Sequence, residues 1–289
     1  MRLRWYTGHA PWYNYGATLC SSARCTLTLQ NEGFVQPKQP PNDSRVDDSS
    51  CSSTPKPEVV HTSTATGDLI GLDLWPASVA LCRYLAAHPQ IVLKEAVVEL
   101  GAGMGLTGLL AAKLGAASVL LTDYETLVLE QLVRNIAANQ APSCSVAKLD
   151  FRALDDLPLA QRGSWRRLLA ADVLYAAVIV RPFVATLAAL LHPGQGVALV
   201  AHQIRRAITL DLKTRLPRLE DKDEPFEAFL ASCQEAGLHT RILSSRGTCS
   251  NVDSDPMMLV GVAKDEALLQ GLPLWHHGSS KGDSDASRV

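Results

Sequence analysis

The feature that most constrains this chain is the run VVELGAGMGLTG at residues 97–108. Its apolar, β-branched opening is too short for a helix and reads as a buried strand. Gly101, Gly103 and Gly105 then mark the turn that leaves the strand and enters a helix. Glycines at such a turn take φ angles closed to other residues and let a ligand approach the backbone closely. In a doubly wound sheet, ligands bind at this carboxyl edge of the strands. The run therefore predicts both an architecture and a place to look for a site.

The rest of the chain fits that architecture. Short strand patterns at Val97–Leu100, Ser118–Thr122, Cys144–Leu149, Arg167–Ala171 and Gly196–Ala201 alternate with helical ones. Leu129, Leu132, Val133 and Ile136 recur at helical spacing, as do Phe183, Leu187, Leu190 and Leu191, with Pro182 expected near the start of that second helix. Trp75-Pro76 opens a further amphipathic helix carrying Val79, Leu81 and Leu85. After a helix around Phe226–Ala236, the strand patterns His239–Ser244 and Met257–Ala263 follow with no helix between them, a hairpin ending. The expected fold is α/β, a doubly wound, Rossmann-like seven-stranded sheet with an antiparallel last strand.

The 289 residues suffice for one such domain with extensions at both ends. From Gln36 to Pro57 the sequence is rich in Pro, Ser, Asp and Lys and reads as a linker. The organisation expected is an N-terminal extension and disordered linker over 1–57, a domain over 58–265 and a flexible tail over 266–289. Net charge is −2, which gives no basis for holding a nucleic-acid polyanion or an anionic membrane by bulk electrostatics. No stretch approaches the roughly 20 apolar residues of a membrane span. Seven scattered cysteines without a C-x-x-C pair read as reduced thiols, and the expected location is cytoplasmic. Arg2, Arg4 and Arg24 with no acid before Glu32 leave an organelle transit peptide as the alternative. No metal site is expected; His192 and His202 read as structural.

The glycines alone leave the ligand open. Gly103, Gly105 and Gly108 also satisfy G-x-G-x-x-G, and Asp123 lies about 20 residues on, as a dinucleotide fingerprint requires. Asp123 ends the second strand, where it would accept ribose hydroxyls of either a nicotinamide dinucleotide or S-adenosyl-L-methionine. Glu99 favours the second: an acid two residues before Gly101 would meet the ammonium and sulfonium of that cofactor and sit poorly beside a pyrophosphate. The hairpin ending points the same way, since dinucleotide dehydrogenases usually lack it. Asp150-Phe151, ending the third strand, suits an adenine amino group and ring, though a strand-ending Asp in a turn is an equally good account. Asp172 and Tyr175 end the fourth strand where a transferred methyl group would leave; Asp172 also suits a helix cap. Trp75 reads as packing or as a wall of the cofactor pocket.

These residues fall into segments that together resemble a known family. LWPASVAL (74–81), VELGAGMGLTG (98–108), LTD (121–123), LVRNIAAN (132–139), LDF (149–151) and ADVLY (171–175) are similar to the seven-β-strand protein-lysine methyltransferases known as methyltransferase family 16. The resemblance runs from Leu72 to about Ala263. It implies a class I methyltransferase fold and transfer of a methyl group from S-adenosyl-L-methionine to a lysine of a protein substrate. Glu99, Gly101, Gly103 and Gly105 would hold the methionine part, Asp123 the ribose, Asp150 and Phe151 the adenine end, and Trp75 the pocket wall. The family's D-x-x-Y/F motif falls on Asp172 and Tyr175, implying that they form the acceptor end. Phe151 departs from the Trp of many members but keeps an aromatic ring. Val173-Leu174 replace the prolines of amino-methylating nucleic-acid enzymes, and the paired glutamates of the main arginine methyltransferases are absent. A small-molecule methyltransferase, a non-catalytic binding module and an NAD-dependent oxidoreductase are the alternatives. The partner expected is a protein presenting a lysine, with no nucleic acid and no membrane, and the chain is expected to be monomeric.

Overall fold

The computed structural model describes residues 69–210, 215–244 and 257–275, together with a two-residue parallel pairing of Arg4–Trp5 with Thr28–Leu29. Seven strands form one sheet: β1 (Ala96–Leu100), β2 (Ser118–Asp123), β3 (Cys144–Lys148), β4 (Arg167–Ala171), β5 (Val197–Gln203), β6 (His239–Ile242) and β7 (Met257–Ala263). Their order is β6-β7-β5-β4-β1-β2-β3. β1 to β5 are parallel, and β7 lies between β5 and β6, antiparallel to both. The hairpin ending of the sequence is thus present, with the last strand inserted inside the sheet and β6 left on its edge.

Among the described residues, six α-helices accompany the sheet: α1 (Pro76–Ala87), α2 (Leu106–Lys113), α3 (Thr126–Ala138), α4 (Ala177–Leu190), α5 (Glu224–Glu235) and α6 (Ala267–Gln270). The period-2 alternation of each central strand divides its side chains between two cores. Val97, Leu169, Leu199 and Leu259 pack with α1, α2 and α3 on one face. Val98, Leu168, Val200 and Val260 pack with α4 and α5 on the other. β1 is buried on both faces, which explains why Val97, Val98 and Leu100 are all apolar. The chain winds outward through β1, β2 and β3 and then returns to pair β4 on the far side of β1, so the strand order reverses between β1 and β4. That switch point opens a crevice at the carboxyl ends of the two strands.

Three expectations are corrected. Pro182 does not open α4; it lies inside a helix that starts at Ala177. A proline within a helix leaves the carbonyl four residues back unpaired, and here that residue is Val178, 82% exposed and open to water. Val133 belongs to the outer face of α3, while Val128 and Leu132 are the fully buried apolar residues of its inner face. The folded unit also continues beyond Asp265: α6 buries Leu269, and Trp275 is buried with its backbone N–H donating to the Leu243 carbonyl at 2.7 Å. The tail and the linker assigned to 1–57 otherwise lie outside the described residues.

Candidate functional site

A cavity of about 310 Å³ occupies the switch point. Of the residues singled out in the sequence, Trp75, Glu99, Gly101, Gly103, Asp123, Asp150, Phe151, Asp172 and Tyr175 all line it. Gly105 stands apart. It precedes α2 at φ 77°, and a side chain there would strike Leu132 in the core, so its glycine serves packing and the start of the helix. Gly101 and Gly103 face the cavity side with φ of 63° and 51°, and a Cβ on Gly103 would come within 2.9 Å of the Gly71 carbonyl.

Glu99 is the most distinctive group. It is 2% exposed, its Oε2 accepts the Gly108 N–H at 2.7 Å, and burial pushes its carboxyl up to about 8. Donors from Gly108 and Thr107 do not offset the burial of this carboxyl, and a cationic ligand group supplies what it lacks. Asp123, at the end of β2, accepts from Gly103 N at 3.1 Å and Glu125 N at 3.2 Å. Burial holds its carboxyl above the ordinary carboxylate range despite these donors. An acid so placed suits a vicinal pair of hydroxyl donors. Phe151 packs against Phe183 with ring centroids 5.3 Å apart and planes tilted by 55°, and presents an aromatic wall. Asp150 is engaged differently from expectation: Arg152 grips both its oxygens at 2.8–2.9 Å, and this ion pair holds its carboxyl below the usual range.

These residues fit S-adenosyl-L-methionine: Glu99 would meet the amino-acid end, Asp123 the ribose and Phe151 the base. A pyrophosphate would face Glu99 and Asp123 together, two acids in a low-dielectric pocket.

Across the crevice, Asp172 sits at φ 59°, a conformation uncommon outside glycine, with its side chain 1% exposed. The Arg205 guanidinium forks onto it, Nη1 to Oδ1 at 2.8 Å and Nη2 to Oδ2. His202 Nδ1 lies 3.5 Å from Oδ1, and its Nε2 is 2.9 Å from Oδ2 of Asp223. Burial pushes the Asp172 carboxyl up, but the adjacent His202 and the Arg205 fork outweigh it and hold the group below the usual range. Asp223 caps α5 through Phe226 N at 3.0 Å and also accepts Arg205 N at 2.6 Å. The Arg205 guanidinium carbon lies 5.5 Å from the Trp75 ring centroid. Tyr175 is half exposed at the rim with Val178 and Ile179 of α4.

Sequence reasoning missed Arg205, Asp223 and the part played by His202, together with Ile70, Gly71 and Asp73, which wall the cavity ahead of α1. None carries a motif. Only His202, a histidine at the end of a wholly apolar strand, offered a local signal.

A parallel run closed on an antiparallel β7, with an acid-floored glycine loop at the switch point, defines the class I methyltransferase architecture. The sequence profile of the lysine methyltransferase family matches residues 56–216, and the chain belongs to that family. Among its relatives is the histone-arginine methyltransferase METTL23 of Homo sapiens, 30% identical over 198 residues, which are 66% of this chain and 98% of that one. Protein N-lysine methyltransferase METTL21A of Xenopus tropicalis is 37% identical over 103 residues, and that of Danio rerio 35% over 136. These stretches cover 35% and 46% of this chain, and the chain spans only 46% and 60% of those two relatives.

Proposed function

We propose that this protein is an S-adenosyl-L-methionine-dependent N-methyltransferase that modifies a lysine side chain of a protein substrate. The observation that carries the reading is the buried Glu99 beneath the glycine turn, an acid that faces, across one cavity, the aromatic and acidic residues of the acceptor end. When bound, the cofactor supplies an electrophilic methyl group on a sulfonium, already a good leaving group. What remains for the protein is alignment and exclusion of water. Glu99 and the Gly101–Gly103 backbone hold the amino-acid end, Asp123 the ribose, and Phe151 with Trp75 wall the rest. Asp172 and Tyr175 bound the acceptor end. Asp172 acts there through the guanidinium it fixes, while the half-exposed Tyr175 ring guides an incoming amine by cation–π attraction. Asp150, committed to Arg152, contributes to the adenine end by position.

The lysine reading is supported by family membership and by the METTL21A relatives' names. Arginine is the second reading, favoured by METTL23, the relative matched over 98% of its length. Labelled S-adenosyl-L-methionine incubated with the enzyme and a cell extract tests both: labelled methyllysine in the acid hydrolysate of the protein fraction is the expected result. Label confined to small molecules would overturn the protein substrate. We further propose that the enzyme works in the cytoplasm as a monomer; Cys82, Cys144 and Cys233, all unpaired, support a reducing compartment.

A further inference from the structure

We propose that Arg205 makes this site select lysine over arginine as acceptor, an inference that rests on the methyltransferase reading above. A guanidinium stays protonated at any accessible pH, so an arginine acceptor needs a carboxylate to receive its fork. A lysine amine sheds its proton before it reacts and needs no such partner. At the acceptor end of the cavity the carboxylate is Asp172, and it is already occupied. Arg205 binds both its oxygens and lies against the Trp75 ring, the pair of contacts, carboxylate and aromatic face, that would hold an incoming guanidinium.

The occupant is anchored. Arg205 N donates to Asp223, itself fixed by capping α5 and by His202, and Nη1 also donates to the Gln203 carbonyl at 3.3 Å. With Asp172 1% exposed and the Arg205 side chain 35% exposed, Arg205 covers the acid from the cavity side. The chain's own arginine thus fills the place an arginine acceptor would take and leaves the acceptor end without an unbalanced negative charge from Asp172. A lysine sheds its charge on entering and meets no repulsion as the neutral amine; a second guanidinium cannot shed its proton and meets a like charge.

The test uses full-length enzyme saturated with S-adenosylhomocysteine and n-propylguanidinium as the probe, followed by titration calorimetry. Arg205→Ala should bind the probe about tenfold or more tightly than the wild type, the size of one charge-assisted fork. Arg205→Lys, which keeps a cation on Asp172, should show little gain, and Asp172→Asn in the Arg205→Ala background should remove it. Equal probe affinity in wild type and Arg205→Ala, or a gain that survives Asp172→Asn, would overturn the proposal. Should Arg205→Ala fail to fold, seen as loss of S-adenosylhomocysteine binding, the wild-type hydrolysate decides: methyllysine without methylarginine supports the inference and methylarginine overturns it. Absence of S-adenosylhomocysteine binding by the wild type would instead sink the methyltransferase reading itself.

Discussion

At the scale of single residues, the cavity is governed by carboxylates whose surroundings pull their ionisation in opposite directions. Glu99 is lifted to about 8 by burial, so without ligand the fold keeps it protonated at neutral pH. The unfolded chain ionises the same group near the ordinary glutamate value of 4.5. Between those two values the unfolded state binds fewer protons than the folded one, and stability contributed by this group is lost as pH rises through that window. The ligand-free protein should therefore melt at falling temperature from pH 5 to pH 8 relative to Glu99→Gln, in thermal scans of both. A ligand ammonium set beside Glu99 would lower its pKa, so S-adenosylhomocysteine binding at pH 7 should release a proton. Identical calorimetric enthalpies in phosphate and Tris would contradict that. Gly108 is tied to the same acid: a Cβ there would press on Leu121 and come within 2.7 Å of Glu99 Oε2. Alanine ordinarily favours a helix by up to about 1 kcal/mol over glycine, yet overpacking costs about 1–3 kcal/mol. Gly108→Ala should thus lower stability in urea titrations. Glu99, Gly101, Gly103 and Asp123 were legible because their chemistry follows from strand ends close in sequence. The grip of Arg205 on Asp172 was not, since the two are separated by 33 positions and by a helix and a strand.

At the scale of elements, the loop after β5 is tied to α5 through Asp223. Asp223 is 4% exposed and accepts from Phe226 N, Arg205 N and His202 Nε2, joining the cap of α5 to the residue that covers Asp172. His202 stacks flat on Phe226, centroids 5.6 Å apart and planes within 3°, which fixes the imidazole between its two acids. Removing the carboxylate leaves a buried helix start and the buried His202 Nε2 without this partner. Asp223→Ala should cost about 2–4 kcal/mol, the sum of a lost cap and buried groups left without partners, read from urea unfolding. Hydrogen exchange should quicken in residues 203–210, and Asp223→Asn, which keeps the cap oxygen, should recover part of the stability. A loss below about 0.5 kcal/mol would show that the loop is held by other contacts. The strands and long helices were readable because their period repeats over many residues. Where only one face or one turn carried the signal, reading failed: Val133 shares the apolar character of the inner α3 residues but lies 57% exposed, and Pro182 marks a helix start only when the residues before it are not already helical.

At the scale of the molecule, the chain closes on itself after its last strand. Residues 267–275 run back beneath the sheet, where Arg241 Nη1 donates to the carbonyls of Leu269, Gln270 and Leu272, and Tyr84 of α1 donates to the Pro273 carbonyl at 2.8 Å. Leu269 and Trp275 are buried against the core, and Gly261 in β7 is small because Leu272 comes within 2.6 Å of where its Cβ would stand. A four-residue helix is too short for apolar periodicity to register, which is why this clasp was not visible in the sequence. It joins edge strand β6, the inserted β7 and α1, three elements distant in the chain. None of its residues lines the cavity at the carboxyl edge. Stability and ligand binding should therefore separate here. Trp275→Ala removes a large buried side chain and should lower unfolding free energy by about 3–5 kcal/mol with an unchanged denaturant slope. S-adenosylhomocysteine affinity, measured at a temperature where the variant remains folded, should stay within a factor of about 2 of wild type, because the strand ends that build the site are set by the register of β1, β2 and β4. A folded Trp275→Ala protein with strongly weakened binding would mean that the clasp sets the spacing of those strands as well as their stability.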